Sequence, residues 1–569
     1  MGLGYKGPTY HVLRTNLLEE SKKELQLLVD TYRSSWEDCG CTIMADGWKD
    51  IRQRSLINFL VYSPKGTSFI KSVDASDMIS DASTLCNLFT EIVEIVGWKN
   101  VVHVVTDNAA NYKAAGRLLN DKYPSILWTP CVAHCLNLML KDIAKIPHIE
   151  TLAHRASLIT VFVYNHKWTL SWLRNIKGWT EILLPGDTRF ATTFIALKSL
   201  YDHKSDLQAM ITSGDFLGWN GSKTKKAKDV CNIVLDNQFW NDCLVVVKIA
   251  SPLVRLLRIV DSDERPSLGY IYEGMIRANK TIKETFKYVR RLYQPYISIL
   301  EERWERQMHQ DIHAAAFWLN PTFQYDKDTV QVCHSPDVMD GFITIISNPN
   351  IAPNHNKMIV ESSTFRERLG SFGNTLTQSS SKNTRPDEWW RFFGHSAPNI
   401  QKLALRILSQ TSSSSGCERN WSAFERIHTK RRNRLEHQRL NDLVYIHYNL
   451  CLKNRNFNKS NNLDPIDYEC IDKIDTWVVE NEPPREPELN LEDLENIIAQ
   501  VEGEGQEQRE GGQTEFVHNI HDSTNYDDDD DVVAVQEEDV LIAQDGINFS
   551  SFDVNQGNEE DGIHGNDDN

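Results

Sequence analysis

Two aspartates, Asp46 and Asp107, are the residues of this 569-residue sequence whose type and position most directly suggest chemistry. Each ends a short apolar run, CTIMA before Asp46 and VVHVVT before Asp107. Carboxylates at the ends of adjacent strands can hold two divalent cations and so support phosphoryl transfer. Mg²⁺ prefers such oxygen ligands. The alternative is structural, because an aspartate can cap the next helix or turn, and Asp107 precedes the helix-like NAANY.

Glu418 is the candidate for a third carboxylate. It lies one turn into the helix predicted within SSSSGCERNWSAFERIHTKRRNRL (412–435), after serines and a glycine that can cap a helix start. A carboxylate on a helix that crosses a sheet can face the strand ends and complete a ligand set. The alternative is a solvated glutamate beside Arg419, the usual situation of such a pair on a protein surface.

The elements that must position these aspartates predict an α/β fold. Apolar runs predict strands at 41–46, 55–63, 67–75, 101–107 and 125–131, and helical periodicity predicts helices at 82–97, 108–122 and 133–145. Pro64-Lys65-Gly66 is suited to a hairpin turn between the second and third strands. A three-strand meander followed by helix–strand units implies a mixed sheet with helices on both faces. This is the ribonuclease H-like order, in which the first and fourth strands are neighbours.

Charge is distributed unevenly along the chain. Residues 481–569 contain 27 Asp and Glu, with Arg485 and Arg509 as their basic residues, a net charge of −25. Since the whole chain carries −18, the other 480 residues carry 59 basic against 52 acidic side chains, or +7. A mildly basic body is compatible with a nucleic-acid partner. The composition of the acidic tail predicts disorder, and its role, shielding the body or recruiting partners, stays open.

The sequence indicates an intracellular protein. Its 11 cysteines lack paired spacing, which favours a reducing compartment, the nucleus or alternatively the cytoplasm. No run of 18 apolar residues predicts a membrane span, and the start, MGLGYKGPTYHVLRTN, lacks the apolar stretch of a signal peptide. We expect no membrane partner and no small-molecule substrate.

The remaining sequence is interpreted as mostly helical, with linker-like breaks. The predicted organisation is a helical lead-in at 1–37, the first part of the α/β core at 38–150, a large all-α insertion at 151–385, a helical region that completes the core at 386–455, and a linker with the disordered acidic tail at 456–569.

Several blocks together resemble plant-type proteins of the hAT transposase superfamily. The blocks are MADGWKD, SLINFLVYSPKGTSFIKSVDASD, VVTDNAANY, TPCVAHCLNLMLKDI, LPGDTRFATTF, HAAAFWLNP and SSGCERNWSAFERIHTKRRNRL. They occur in order over roughly residues 4–455, and the last resembles the C-terminal dimerisation region of the family. Each block alone is a weak signal, whereas their order makes the resemblance specific.

The resemblance implies a DDE-type catalytic triad on Asp46, Asp107 and Glu418, with Mg²⁺ or Mn²⁺ as the metal if the protein is active. It also implies a Cys-x-x-His pair at Cys131 and His134. His134 opens a helix near the strand ends, where it can donate to a phosphate or be purely structural. We expect no zinc, because no second ligand pair has finger spacing.

Three further features bear on DNA binding. The family pattern has an Arg-Trp pair where this chain has Arg189-Phe190, which keeps an aromatic face for a base but loses the indole. We expect no BED-type zinc finger, which many members of the family carry before the first Asp, because Cys39 and Cys41 have the wrong spacing for one. Basic side chains cluster after Glu418, and these are predicted either to contact phosphate, as Arg419 also could, or to form a solvated face: Lys430, Arg431, Arg432 and Arg434. A similar cluster lies earlier, at Lys223, Lys225, Lys226 and Lys228.

Aromatic side chains are concentrated between 387 and 450 and are candidates for dimer anchors or for the domain interior. The predicted dimerisation residues are Trp389, Trp390, Phe392, Phe393 and Trp421. The sequence alone leaves two functions open. The preferred one is a nuclear protein derived from a domesticated hAT transposon that forms a homodimer or higher oligomer and binds DNA. The alternative is an active transposase that cuts and joins DNA by two-metal phosphoryl transfer. A plain ribonuclease is disfavoured, because the insertion separates Asp107 from Glu418.

Overall fold

The structure is a computed structural model that describes residues 16–49, 53–76, 81–185, 191–262, 265–427 and 437–458, together with Thr9 and Val12. The described residues form two compact units. The first contains the chain up to Lys141 and from Ser251 onward, and the second contains residues 142–250. Each unit is described by itself below.

A five-stranded mixed sheet forms the centre of the first unit. Its strands are β1 (Cys41–Lys49), β2 (Ser55–Ser63), β3 (Gly66–Asp74), β4 (Val101–Thr106) and β5 (Leu127–Pro130). Their order is β3-β2-β1-β4-β5. The β1–β2 and β2–β3 pairs are antiparallel, whereas β1–β4 and β4–β5 are parallel. The predicted meander and the predicted neighbours, the first and fourth strands, are both confirmed.

One predicted strand boundary is wrong. The sequence placed Asp46 at the end of the first strand, but β1 continues to Lys49 because Gly47, Trp48 and Lys49 stay paired with β2. Pairing of β1 with β4, in contrast, stops at Met44↔Val105. Asp46 is therefore paired with β2 on one side of β1, but it lies beyond the last residue that pairs with β4 on the other side.

Helices cover both faces of the sheet. The helices around the strands are α1 (Asn16–Cys39), α2 (Ala82–Val96), α3 (Ala110–Lys122) and α4 (Val132–Ala144). On one face, Ile43, Phe59 and Val104 form a core with buried residues of α2 and α3. On the other, Met44 and Phe69 pack with buried residues from α1 and from the last two helices of the described chain. Residues far apart in sequence thus share one core, and the mixed α/β prediction is confirmed.

The described residues after α4 form helices and loops and add no strand to the sheet. The helices are α5 (Pro147–Asn165), α6 (Lys167–Arg174), α7 (Ala191–Asp202), α8 (Lys204–Thr212), α9 (Gly214–Gly218), α10 (Lys225–Leu235), α11 (Asn237–Asp261), α12 (Ile271–Thr285), α13 (Arg290–Arg303), α14 (Asp311–Leu319), α15 (Pro321–Gln324), α16 (Val330–Cys333), α17 (Pro336–Ser347), α18 (His355–Arg366), α19 (Thr375–Ser379), α20 (Pro386–Phe393), α21 (Pro398–Leu408), α22 (Ser415–Ile427) and α23 (His437–Asn458). A π-helical turn spans Trp304–Met308, and short 3-10 turns span Asn220–Lys223, Leu268–Tyr270, Gly370–Gly373, Ser380–Lys382 and Gly394–Ser396. No described helix is long and apolar enough to cross a membrane.

The second unit is stabilised by its own aromatic cluster. Trp219 stacks on Trp168 with ring centroids 5.1 Å apart and contacts Phe216 at 6.0 Å. The Trp219 ring also covers Gly221, where a Cβ would lie 2.1 Å from it. Thr224 caps α10, because its hydroxyl accepts the backbone N–H of Ala227 (3.2 Å). These contacts fix the start of α10, where the cluster Lys223, Lys225, Lys226 and Lys228 is exposed.

Candidate active site

The sheet register brings Asp46 and Asp107 to the same level of adjacent parallel strands. Met44 and Val105 are the last paired residues of β1 and β4, and each aspartate comes two residues later. Because side chains alternate along a strand, both aspartates continue the face of Met44 and Val105. Neighbouring strands lie about 4.8 Å apart, so the two carboxylates are close.

The environment of Asp46 disfavours its negative charge. Burial, then the charge of Glu418, then that of Asp107, raise the pKa of the Asp46 carboxyl well above its usual value. A hydrogen bond acts in the opposite direction, since the Trp421 indole N–H donates to Asp46 Oδ2 (3.1 Å). Glu418 is exposed at the surface of α22. The three candidate carboxylates therefore interact electrostatically, although they come from three separate parts of the sequence.

Asp107 does not cap the following helix. Helix α3 begins at Ala110, and its N-cap position is Ala109, which offers no side-chain acceptor. The Asp107 carboxylate instead accepts the backbone N–H of Asn108 (2.5 Å). His134 Nε2 lies 3.7 Å from Asp107 Oδ1, and its imidazole is about one-third exposed. His134 and Asp107 thus both border the surface where the carboxylates meet.

A buried segment, Gln410–Ser415, determines where Glu418 lies. The Ser412 carbonyl accepts the backbone N–H of Val132 (3.0 Å), and the backbone N–H of Ser414 donates to Cys131 Sγ (3.3 Å). Gln410 reaches β1, since its Oε1 accepts the hydroxyl of Thr42 (2.9 Å). Helix α22 starts at the end of this segment, so the contacts hold its first turn, with Glu418, near the sheet.

Of the residues predicted to contact DNA, only Arg419 lies among the described residues. Arg419 forms an ion pair with Asp261 (Nη1–Oδ2 3.3 Å), so its guanidinium has a partner within the chain. The predicted DNA-contacting residues Arg189, Phe190, Lys430, Arg431, Arg432 and Arg434 lie outside the described residues.

The predicted dimerisation residues divide into buried and exposed side chains. Trp389 and Trp390 are fully buried in an aromatic cluster with Phe365, whose ring centroid lies 4.6 Å from that of Trp390. Phe393 is half-buried, and Phe392 is 69% exposed. Both tryptophans therefore support the fold, and of these four residues Phe392 presents the largest apolar surface.

Trp421 belongs to the carboxylate site. Its indole is half-buried and stacks on Trp48 of β1 with centroids 4.9 Å apart, while its N–H donates to Asp46. Sequence reasoning missed this function, and it also missed Cys131 and Gln410 as anchors of the serine segment. The available signal was the aromatic Trp48, two residues after Asp46 in MADGWKD.

The donor set fits a divalent cation that also binds substrate. Carboxylate oxygens suit Mg²⁺ or Mn²⁺, and a cation would relieve the repulsion that raises the pKa of Asp46. The described residues contain no group of three His, Cys, Asp or Glu side chains arranged to hold a metal ion. An ion at this site would thus be held by one or two carboxylates, with water and phosphate as the other ligands.

Comparison with protein families matches two regions of the chain. Residues 8–159 match the model described as "Domain of unknown function (DUF659)", and residues 367–450 match the "hAT family C-terminal dimerisation region". A comparison with curated proteins gives no match. The first region contains the whole sheet with Asp46, Asp107 and His134, and the second contains Phe392 and Glu418.

Proposed function

Because the chain is a hAT-family transposase-like protein, we propose that it is a transposase-derived nuclear protein that pairs with a second copy of itself and binds DNA. The observation that carries the proposal is a set of exposed apolar side chains within the matched dimerisation region and just before it. The nuclear location follows from the proposed DNA partner.

The proposed dimer surface is formed by exposed apolar side chains around a buried aromatic centre. We call it the 359–392 surface, and its members are Ile359, Val360, Leu369, Leu376 and Phe392. The helices and turns that carry them pack against one another through buried aromatic rings. The ring centroid of Phe365 lies 5.3 Å from that of Phe372, and Phe365 also packs against Trp390. Exposed apolar side chains on elements that share a packed aromatic centre are typical of a protein interface, where aromatic residues act as anchors.

Point substitutions test this surface better than removal of the region. Deleting 387–453 would also remove Phe424 and Tyr448 from the core under the sheet, so the chain would lose its fold. Phe392→Asp leaves the core intact and should convert a dimer into a monomer in multi-angle light scattering. The matched control is Ile343→Asp, at a 47% exposed residue outside the matched region, which should stay dimeric. A Phe392→Asp protein that remains a dimer would reject the surface.

DNA binding is supported by charge. Residues 1–480 carry a net charge of +7, and a basic body attracts the phosphate backbone. Fluorescence anisotropy with labelled DNA should show binding that weakens as salt concentration rises, because bound phosphates release counterions. An unchanged signal at low salt over the whole protein concentration range would contradict the proposal.

A second candidate function, metal-dependent DNA cleavage, is favoured by one observation: Asp46, Asp107 and Glu418 interact electrostatically. Mg²⁺ or Mn²⁺ held by one or two of these carboxylates would polarise a phosphate and activate the attacking oxygen. The Trp421 N–H would orient the Asp46 carboxylate, and the His134 imidazole could donate to a substrate phosphate.

Cleavage of a DNA end in the presence of Mg²⁺ or Mn²⁺ tests the second candidate. The wild-type protein should cut an end that can form a hairpin, and Asp46→Ala should abolish cutting. Asp121→Ala, which removes an exposed carboxylate from α3, is the matched control and should cut normally. Absence of cleavage with either metal would reject the catalytic function and leave the dimer and DNA-binding proposals standing.

A further inference from the structure

The turn between α12 and α13 combines strong positive charge with an exposed aromatic side chain. We call the residues 280–291 the basic turn. Within it, five cationic residues accompany a single acidic one, Glu284: Lys280, Lys283, Lys287, Arg290 and Arg291. Tyr288 is 61% exposed, and its neighbour Val289 is also exposed. Cationic side chains beside an exposed ring are typical of surfaces that bind single-stranded nucleic acid.

The backbone of the basic turn adopts a conformation that does not favour its residues. Lys287 and Tyr288 have φ values of +49° and +60°, in the left-handed region. The backbone N–H of Tyr288 donates to the Lys283 carbonyl (2.8 Å) and that of Lys287 to the Glu284 carbonyl (2.9 Å). This pair of bonds is the Schellman arrangement that ends a helix, in which the left-handed residue is usually glycine. A lysine and a tyrosine therefore occupy positions where glycine would fold with less strain.

The start of α13 also carries charge that does not stabilise the helix. Arg290 and Arg291 are its first two residues, both exposed, and its first turn has no acidic residue. Positive side chains oppose the positive end of the helix dipole. The same place suits an anion, because backbone N–H groups and two guanidinium groups are presented together.

We propose that the basic turn binds a single-stranded stretch of DNA, with Lys287, Arg290 and Arg291 on the phosphates and the Tyr288 ring stacked on an unpaired base. The proposal rests on the DNA binding proposed above and specifies where it occurs. Phosphate is the proposed ligand because Arg290 and Arg291 are exposed at the start of α13, where the first backbone N–H groups of the helix lie. The other proposed ligand is an unpaired base. The exposed Tyr288 ring can stack on such a base, whereas the bases of a duplex are already stacked on one another and cannot reach the ring.

Substitution of Tyr288 separates a binding role from a structural one. Tyr288→Gly suits the left-handed backbone, so its thermal unfolding midpoint should equal or exceed that of the wild type. Its affinity for a labelled single-stranded oligonucleotide should nevertheless fall by roughly tenfold, the effect of one lost stacking contact. Tyr288→Phe keeps the ring and should bind within about twofold of the wild type. Equal affinity of Tyr288→Gly and wild type would overturn the proposal, as would equal losses in Tyr288→Gly and Tyr288→Phe.

The arginines are tested by the salt dependence of binding. Arg290→Gln with Arg291→Gln should lower the slope of log affinity against log salt by roughly 1.4, because about 0.7 is lost per phosphate contact on a single strand. The control is Lys327→Gln with Lys402→Gln, which removes the same charge from exposed positions elsewhere and should leave the slope unchanged. An equal decrease in the control would mean general attraction and would overturn the site.

The experiment distinguishes the site from the function. If the full-length wild-type protein binds neither single-stranded nor duplex DNA, the proposed function itself fails. If it binds but the variants in the basic turn bind equally well, only the site fails. A larger loss for Tyr288→Gly on single-stranded DNA than on a blunt duplex supports the stacking contact, and equal losses on the two substrates reject it.

Discussion

At the scale of single residues, Asp46 shows how a site can work against stability. Burial and the charges of Glu418 and Asp107 raise the pKa of its carboxyl, while the Trp421 N–H lowers it. The hydrogen bond from Trp421 offsets only part of the increase, because the pKa of Asp46 remains well above its usual value. A residue kept in such surroundings is typical of a functional site rather than of a structural one.

Neutralising Asp46 should stabilise the protein. Asp46→Asn keeps the size of the side chain and removes the repulsion from Glu418 and Asp107, so the thermal unfolding midpoint should rise. A gain of about 1 kcal/mol corresponds to roughly 1–2 °C for a unit of roughly 300 residues. Asp121→Asn is the control and should not change the midpoint, since Asp121 is an exposed residue of α3. A lower midpoint for Asp46→Asn in metal-free buffer would contradict the electrostatic interpretation.

Two buried histidines in the first unit are held in the neutral form by burial. His103 on β4 bonds Thr129 Oγ1 through Nε2 (2.8 Å), and His313 on α14 bonds the Met308 carbonyl through Nδ1 (2.7 Å). Burial and, to a smaller extent, the neighbouring His313 together lower the pKa of His103 to about 3. Burial likewise lowers the pKa of His313 to about 4. Both are therefore neutral in the folded protein near neutral pH.

Acid should destabilise the fold through these histidines. In the unfolded chain each titrates near 6.5, so below that pH the unfolded state binds protons that the folded state does not. Stability is thus fully present above about pH 6.5 and falls as the pH drops to about 4 for His313 and about 3 for His103, by up to roughly 1.4 kcal/mol per pH unit for each histidine. The thermal midpoint measured against pH checks this. His313→Gln should flatten the profile, whereas His355→Gln, at an exposed position, should leave it unchanged.

At the scale of elements, the close packing of α3 on β5 positions Asp107. The Trp128 ring lies directly over Gly116, where a Cβ would be 2.3 Å from the ring, and its indole N–H donates to Thr106 Oγ1 (3.0 Å). Thr106 is the last residue of β4, immediately before Asp107. A single glycine in the middle of a helix therefore allows the contact that holds the end of β4.

Gly116→Ala should destabilise the first unit. Alanine is the better helix former by about 1 kcal/mol, but overpacking against Trp128 costs about 1–3 kcal/mol. We expect a lower thermal midpoint. Gly218→Ala, on α9, is the matched control, because open space surrounds the added Cβ and no loss is expected. If Gly116→Ala proved neutral, α3 would have to shift, and the position of Asp107 would be less constrained than the contact implies.

At the scale of the whole molecule, the uneven charge distribution is the property that bears on DNA binding. Residues 1–480 carry +7 and residues 481–569 carry −25, so the sign of the net charge depends on the tail. The tail lies outside the described residues, and its effect is argued from charge alone. An acidic segment tethered to a basic body competes with phosphate for the same cations.

Truncation after residue 480 should therefore strengthen DNA binding at low salt. We expect affinity for nonspecific duplex DNA to rise severalfold, and the difference from the full chain to disappear at about 1 M salt, where the Debye length is about 3 Å. Anisotropy titrations of both proteins at a series of salt concentrations measure this difference in affinity. Equal affinity of the two proteins at low salt would show that the tail does not compete with DNA.

Much of the fold was predictable because local patterns encode it. The alternation of SLINFLVYS, the Pro64-Lys65-Gly66 turn and the apolar run VVHVVT each predict an element, and the predicted strands and helices around the sheet agree with the structure within a few residues. The end of β1 was missed, because its last residues pair with β2 on one side only, a property of the sheet and not of the segment. Trp389 and Trp390 could not be assigned either, since an aromatic residue on a helix is equally suited to a core and to an interface.

The sequence by itself determined the mixed α/β class, the strand order, the acidic tail and the identity of the three candidate carboxylates. Only the tertiary structure decided how they are arranged: Glu418 is brought to the sheet by the buried segment Gln410–Ser415, Trp421 donates to Asp46, and Phe392 is left exposed. The physical reason is that element type follows from periodicity over a few residues, whereas these contacts join positions more than 250 residues apart. Such contacts depend on which faces are buried together, and no local pattern specifies that.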